Sequence, residues 1–431
     1  MKLSGGILAA LAALVLGACS EETDGPRQTV EFWVMGSEGL AVGPLIEEFE
    51  AENPGIEVEL QQIAVRVAHE RFLTAFAGDA TPDLAQLGNT WIPELTELDA
   101  LRPLDDFVAR SETVDPEDYF EGIWQASLAD GGEAMGIPWY VDTRLLFYHA
   151  GLLAEAGYET PPQSWADWRA AMEAVRANGK PGDYPALLPL NEYEPFVALA
   201  LQQDADLLRE DGRFGNFADP ELVAMLDFYL GLFRDGLAIK ATNTQISNVY
   251  HEINRGRFAF YITGPWNIGE FSRRLPEDRQ HIWATAPLPG PDGPGLSSAG
   301  GSSLVIFERS QHPEAAWRLA EFLSRPENQR RFYDLVGDLP PRRSAWEDAR
   351  FDDPRVDAFR QQMERLEPSP RVPEWERIAT EIRLVIEQAV YANWSAERTA
   401  HELDIRINEI LDKRRWMLDR TAERAGEDAA P

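Results

Sequence analysis

Between Thr29 and Ile63 the hydrophobic period of the chain changes twice. TVEFWVMG reads as a strand, GPLIEEFEAENPG puts Leu45, Ile46 and Phe49 on one helical face before Asn53-Pro54-Gly55 breaks it, and IEVELQQI alternates as a second strand. Strand, helix and strand in so short a span make a βαβ unit, which calls for a parallel sheet covered by helices. ERFLTAFAGDATPDLAQLG repeats the logic: Phe72, Leu73 and Phe76 form a helical stripe, Gly78 ends it, and Asp83 to Leu87 reads as a buried strand. A doubly wound α/β domain follows.

Three breakers punctuate the rest. Pro138 to Thr143, within GIPWYVDTRLL, is the first crossover between structural units, the proline-glycine run APLPGPDGPG at Ala286 to Gly295 fits a second, and GDLPPRRSAW from Gly337 is the third break. A helix-rich stretch lies between the first two, and a strand, SSLVIF, followed by a helix lies after the second. With 431 residues, at about 150 per domain, two or three domains are expected.

The N-terminus carries a different signal. MKLSGGILAALAALVLGA has a cationic start and an apolar run shorter than the roughly 20 residues a spanning helix needs, so residues 1–18 read as an export signal. Leu16-Gly17-Ala18-Cys19 matches the lipobox of bacterial lipoproteins, which makes the only cysteine a lipid attachment point. Residues 19–28 are polar and aperiodic, a tether. A lone cysteine forms no intramolecular disulfide, and a net charge of −33 argues against nucleic-acid binding, which needs a basic footprint.

Catalytic and cofactor motifs are missing. The residues four past His69, His251 and His401 are Leu73, Arg255 and Ile405, so no HExxH occurs, and GxSxG, Walker A and GxGxxG are likewise absent. No metal or cofactor is expected. Carboxylate pairs able to serve a glycosidase abound in so acidic a chain and discriminate nothing. The distinctive feature is aromatic placement: of 13 Trp and 11 Tyr, several stand in Gly/Pro-punctuated loops, as in GNTWIPEL, IPWYVD, TGPWNIG and RVPEWERI. A pyranose is held by a flat aromatic against its C–H face and by polar groups at its hydroxyl edge, and these loops supply both. Taken singly, each tryptophan is equally compatible with packing.

GIPWYVDTRLLFYHAGLLAEAG with PPQSWADW, then GRFAFYITGPWNIGEF, then LSSAGGSSLVIFERSQHPEAAWRLAEFLSRPENQ, and lastly PEWERIATEIRLVIEQAV resemble, in order and spacing, the maltose-binding-protein-like solute receptors of sugar ABC transporters (extracellular solute-binding protein family 1). The resemblance implies a periplasmic-binding-protein fold: two α/β lobes, three crossovers and a ligand cleft between them. It assigns residues 29–139 and 288–337 to the first lobe and residues 140–287 and 338–425 to the second. Ser37, Glu38, Asn89 and Trp91 would line the first lobe's side, and Tyr140 and Asp142 would serve as cleft aromatic and hydroxyl acceptor. Asn191, Glu192 and Glu194 would place acids near an aromatic, Trp266 would stack on the sugar, Gly300 and Gly301 would admit ligand to backbone amides, and Trp375 would close the far end. Arg342, with Arg144 and Arg343, would either read an anionic substituent or form surface salt bridges. The implied molecule is a monomeric, non-enzymatic, lipid-anchored receptor on the extracytoplasmic side of a bacterial envelope. It would carry a mono- or oligosaccharide, with an α-linked glucose disaccharide favoured, to its permease. A secreted carbohydrate-active enzyme and a receptor for a peptide or anionic metabolite stand as alternatives.

Overall fold

The structure, a computed structural model, describes residues 27–428; the export signal, Cys19 and residues 19–26 of the tether lie outside the described residues. In chain order its strands are β1 (Gln28–Met35), β2 (Ile56–Ile63), β3 (Leu84–Gly88), β4 (Ile137–Asp142), β5 (Leu145–His149), β6 (Ala186–Leu187), β7 (Leu208–Arg209), β8 (Phe214–Gly215), β9 (Phe260–Thr263), β10 (Trp283–Ala286), β11 (Ser297–Ser298), β12 (Gly300–Ile306) and β13 (Leu366–Glu367). They build two principal sheets, one per lobe: a five-stranded sheet in the order β2-β1-β3-β12-β4 and a four-stranded sheet in the order β10-β5-β9-β6.

The first lobe is the βαβ unit expected. β1 runs parallel to β2 from Gln28↔Ile56 to Met35↔Ile63, and parallel to β3. Alternation along β1 sends Val30, Phe32 and Val34 into one core with Leu45 and Phe49, and Trp33 and Met35 into a second core with Phe72. Helices cover both faces, which is why the strand reads as nearly continuous apolar sequence. The second lobe packs its sheet against helices that include Trp165–Asn178, Pro220–Arg234 and Trp375–Ala392.

The crossings lie later than the breakers suggest. β4 stays paired with β12 of the first sheet as far as Asp142↔Gly300, so residues 140–142 belong with the first lobe and the chain changes lobe at Thr143-Arg144. Likewise the Leu288 amide donates to Gln362 Oε1 and β11 pairs with β13, which keeps the chain on the second lobe's side until Gly300. The breakers mark where regular structure stops, whereas the ladder hydrogen bonds decide which sheet owns the residues beyond.

Hydroxyls lace the crossings together. Thr143 Oγ1 donates to the Ser298 carbonyl at 2.9 Å, Ser297 Oγ donates to the Arg144 carbonyl at 2.8 Å and accepts from the Arg144 amide at 3.2 Å. The third crossing joins through the Val141 amide, which donates to the Leu339 carbonyl at 2.9 Å.

Gly300 and Gly301 sit where β12 meets β4, and their small size answers to this pairing. A Cβ at Gly300 would lie 2.1 Å from the Asp142 carbonyl oxygen, one at Gly301 2.2 Å from that of Tyr140, and Gly301 also has φ +130°. Gly300→Ala is therefore expected to destabilise the protein by about 1–3 kcal/mol, the usual cost of overpacking. A denaturant midpoint equal to that of the wild type would refute the crowding argument.

Candidate ligand cleft

Arg144 organises the space between the lobes. Its Nη1 lies 2.6 Å from Asp142 Oδ1 at the end of β4, its Nη2 lies 3.0 Å from Glu194 Oε1 at the start of the Glu194–Ala200 helix, and its guanidinium stands 5.0 Å from the centre of the Trp266 ring. The arginine side chain is only 6% exposed. Burial works against its charge, but Asp142 and Glu194 outweigh burial and raise its pKa above the ordinary value. A cavity of about 140 Å³ opens beside it, lined by Asn89, Thr90, Asp142, Tyr193, Glu194 and the Gly300–Gly301 backbone among others.

Trp266 begins the Trp266–Arg274 helix directly after β9, and its indole folds back over Gly264, where any Cβ would collide with the ring. It remains 40% exposed, among the most exposed large apolar side chains described. With Arg144 against the ring, a ligand would meet the indole beside a fixed cation.

Behind this group sits a buried, hydrogen-bonded wall. Tyr140 Oη accepts from Gln86 Nε2 at 2.9 Å and from Ser302 Oγ at 3.0 Å, and Gln86 Oε1 in turn accepts from the Met35 amide. Burial pushes the Tyr140 phenol well up, and the Glu38 charge adds to it. Asn89 is 5% exposed; its Oδ1 accepts from Ser303 Oγ, while its Nδ2 has no partner among the described residues and is free to donate to a ligand. Asn191 and Glu192 both bind Asn243, at 2.8 Å and 2.7 Å, which leaves Glu192 Oε2 buried and unpartnered.

Ser37 and Glu38 lie in a one-turn helix after β1, with Ser37 Oγ 3.3 Å from Glu38 Oε2. Asp338 stands near Glu38, and its Oδ2 is buried with no hydrogen-bond partner among the described residues. Burial first, then the charges of Glu38 and Asp142, drive the Asp338 pKa well above the ordinary carboxylate value. Asp142 and Glu192 are also raised, in both cases chiefly by burial.

Three expected site residues stand elsewhere. Trp375 is 1% exposed and packs in the second lobe's core, because it opens the Trp375–Ala392 helix on the same stripe as Ile378, Ile382 and Val385. Trp91 turns its ring toward His69, at 5.1 Å, and Phe72, at 6.4 Å, so it packs against the first lobe's Val65–Ala77 helix and leaves its neighbours Asn89 and Thr90 to line the cavity. Arg342 is buried against Tyr119, bound to Asp118 at 2.6 Å and to the Ser324 carbonyl at 2.8 Å; Arg343 pairs with Glu364. Of the two roles open to these arginines, pairing is the one the contacts show. Residues that sequence reasoning did not single out are Asp338 and Glu376, the latter joined by a hydrogen bond across the cleft to Thr90 of the Asn89-Thr90-Trp91 turn.

Asp338 carries a pH signature. A carboxyl whose folded pKa is raised adds stability that is complete below the unfolded carboxylate range and is lost as pH rises toward the folded value. Asp338→Asn keeps the size of the side chain and removes the titration. The fall in melting temperature between about pH 5 and pH 8 should therefore be shallower in the variant, and parallel melting-versus-pH curves for the two proteins would contradict the assignment.

Two lobes, three crossings and a polar cleft with one exposed indole define a solute-binding protein. Residues 36–330 match the model of the bacterial extracellular solute-binding protein family, and the chain belongs to that family. Among solved structures, the sugar-binding protein MalE from Xanthomonas citri is 49% identical and superposes with a TM-score of 0.89, covering 91% of this chain and 99% of that one. The GacH receptor of Streptomyces glaucescens, 22% identical, shares the fold with a TM-score of 0.76 over 90% of this chain and 99% of its own. A putative binding protein of Brucella abortus is 25% identical over 396 residues, covering 88% of this chain and 91% of that protein.

Proposed function

We propose that this protein is the sugar receptor of an ABC importer, closing its lobes on a mono- or oligosaccharide and delivering it to the permease. The observation that carries the reading is the convergence of the exposed Trp266 indole with Asp142 and Glu194, two carboxylates fixed by one buried arginine. Sugar hydroxyls are good donors to such oxygens, and the indole supplies the apolar face. The 49% identity to a sugar-binding MalE supports the same class. We infer an α-linked glucose disaccharide, such as maltose or trehalose, as the ligand.

Neither alternative is favoured by the geometry. A glycosidase needs one cleft carboxyl as acid and another as base or nucleophile, whereas Asp142 and Glu194 are both tied to Arg144. An anionic ligand would meet Arg144 already neutralised by two carboxylates, with Glu192 adding repulsion.

Titration calorimetry of maltose and trehalose tests the proposal. Trp266→Ala should weaken the bound sugar by roughly thirty- to a thousand-fold, the range of about 2–4 kcal/mol that aromatic hot spots cost, while the ligand-free melting temperature moves little because the indole is 40% exposed. Trp375→Ala is the contrasting control: its cost should fall on folding, about 3–5 kcal/mol. Wild-type affinity in Trp266→Ala would take the indole out of the site.

Lipid attachment at Cys19 would hold the receptor at the membrane, and a similar protein of Streptomyces antibioticus, 25% identical over 342 residues, is described as a lipoprotein. Cys19→Ser should abolish labelling by a fatty-acid probe and release the protein from the membrane fraction. Undiminished labelling would show that the thiol is not the attachment point.

A further inference from the structure

We propose that the end of the second lobe farthest from the cleft carries a separate binding site for a small phosphate-type anion. A cavity of about 320 Å³ opens there, at the His149 end of β5. The first crossing lies at the opposite, Leu145 end, a strand length of roughly 15 Å away. The cavity is therefore no part of the sugar cleft.

Its charge is opposite to that of the molecule. Arg176, Lys180, Arg255, Arg257 and Arg279 line it against only two acids, Glu155 and Asp183, whereas the whole chain has 40 basic and 73 acidic side chains. Arg279 is held by the neutral Asn254, Nε donating to Oδ1 at 3.1 Å and Nη2 to the backbone carbonyl at 3.0 Å, and Arg176 donates to the Asp235 carbonyl. Among the described residues Arg176, Lys180 and Arg279 form no ion pair. Arg255 and Arg257 share a single carboxylate, Glu252, at 2.8 Å and 3.0 Å. The positive charge is thus positioned but only partly neutralised.

The backbone sets the arginines in place. Gly256, with φ +81°, makes the turn that presents Arg255 and Arg257 on either side of it, and the Tyr184 amide donates to the Arg257 carbonyl at 2.9 Å, tying this turn to the neighbouring loop. Arg257 Nε is buried with no partner. A planar guanidinium fork held this way suits the paired oxygens of a phosphate. Leu152, Tyr184 and Pro185 add an apolar wall, so the site has room for a phosphate ester with a small organic group.

The ester has two possible sources, a free phosphorylated metabolite or the glycerophosphate head group of a membrane lipid, and two probes separate them. Calorimetry of the full-length protein with glycerol 3-phosphate tests the first. Co-sedimentation of full-length Cys19→Ser protein with phosphatidylglycerol vesicles, against phosphatidylcholine vesicles, tests the second. At least one probe should bind, with its affinity reduced tenfold or more in Arg255→Gln/Arg257→Gln and strongly reduced in high salt, where screening is nearly complete. Lys180→Gln, an exposed position, should weaken the same probe without altering the fold, and sugar affinity in the cleft should stay unchanged in both variants. Failure of both probes to bind, or binding that survives the paired substitution in a folded protein, overturns the proposal.

Discussion

The two lobes share one buried charge. Arg144 leaves the first sheet at the crossing, takes one carboxylate from each side, Asp142 from the first sheet and Glu194 from the second lobe, and has its backbone fixed at both ends by Ser297 Oγ. A buried guanidinium is costly to desolvate, by several kcal/mol, and deleting one partner of such a pair typically costs about 3–5 kcal/mol. The carboxylates are therefore not free to rotate toward solvent, and the cleft's acceptors are positioned before any ligand arrives. Preorganisation of this kind lowers the ordering cost of binding. The same arrangement makes hinge and site one object: a change in the crossing angle moves the acceptors.

An acidic cleft in a chain of net charge −33 has to store negative charge at close range. Burial answers part of this by favouring the protonated acids. It drives the Asp338 pKa well up and raises those of Asp142 and Glu192 against the pull of Arg144, so full charge is less favoured here than in water. A neutral polyol suits such a wall, because it can donate to the ionised groups and accept from the protonated ones and from Asn89 Nδ2.

Much of the fold was legible because the first lobe obeys local rules: the change of period between Thr29 and Ile63 specifies β1, its helix and β2, and both faces of β1 are buried as the continuous apolar run implies. Lobe ownership near the crossings was less so, since it depends on ladder bonds to β12, some 160 residues away in sequence. At the cleft, Asp142, Glu194 and Trp266 were legible through the resemblance and the turn at Gly264-Pro265. Trp375 misled because a Pro-punctuated approach drew more weight than the period after it: positions 375, 378, 382 and 385 already describe a buried helical stripe. Asp338 gave no signal of its own, one acid among 73, and only its burial beside Glu38 sets it apart. Arg342 was ambiguous for a related reason, since its partner Asp118 lies more than two hundred residues earlier.

Closure needs a source of free energy, and the contacts across the cleft are a poor one. Beside the apolar packing of Phe120 and Ile123 against Met363 and Leu366, the polar contacts between the lobes away from the crossings include, among the described residues, the Thr90–Glu376 hydrogen bond, a 3.4 Å bond from Arg371 to the Gln125 carbonyl, and approaches of 4.0 Å from Arg371 and Arg414 to the exposed Asp130. A hydrogen bond nets about 0.5–1.5 kcal/mol, and exposed ion pairs about 0–1 kcal/mol. Holding two lobes shut from a mostly open population, at 99:1, takes a differential affinity of about 5.5 kcal/mol. The balance must come from a ligand that touches both sides at once, for which Asn89 Nδ2 on the first lobe and Glu192 Oε2 on the second are unspent hydrogen-bonding groups. These groups stay unspent until a solute reaches both, and that difference lets occupancy control shape.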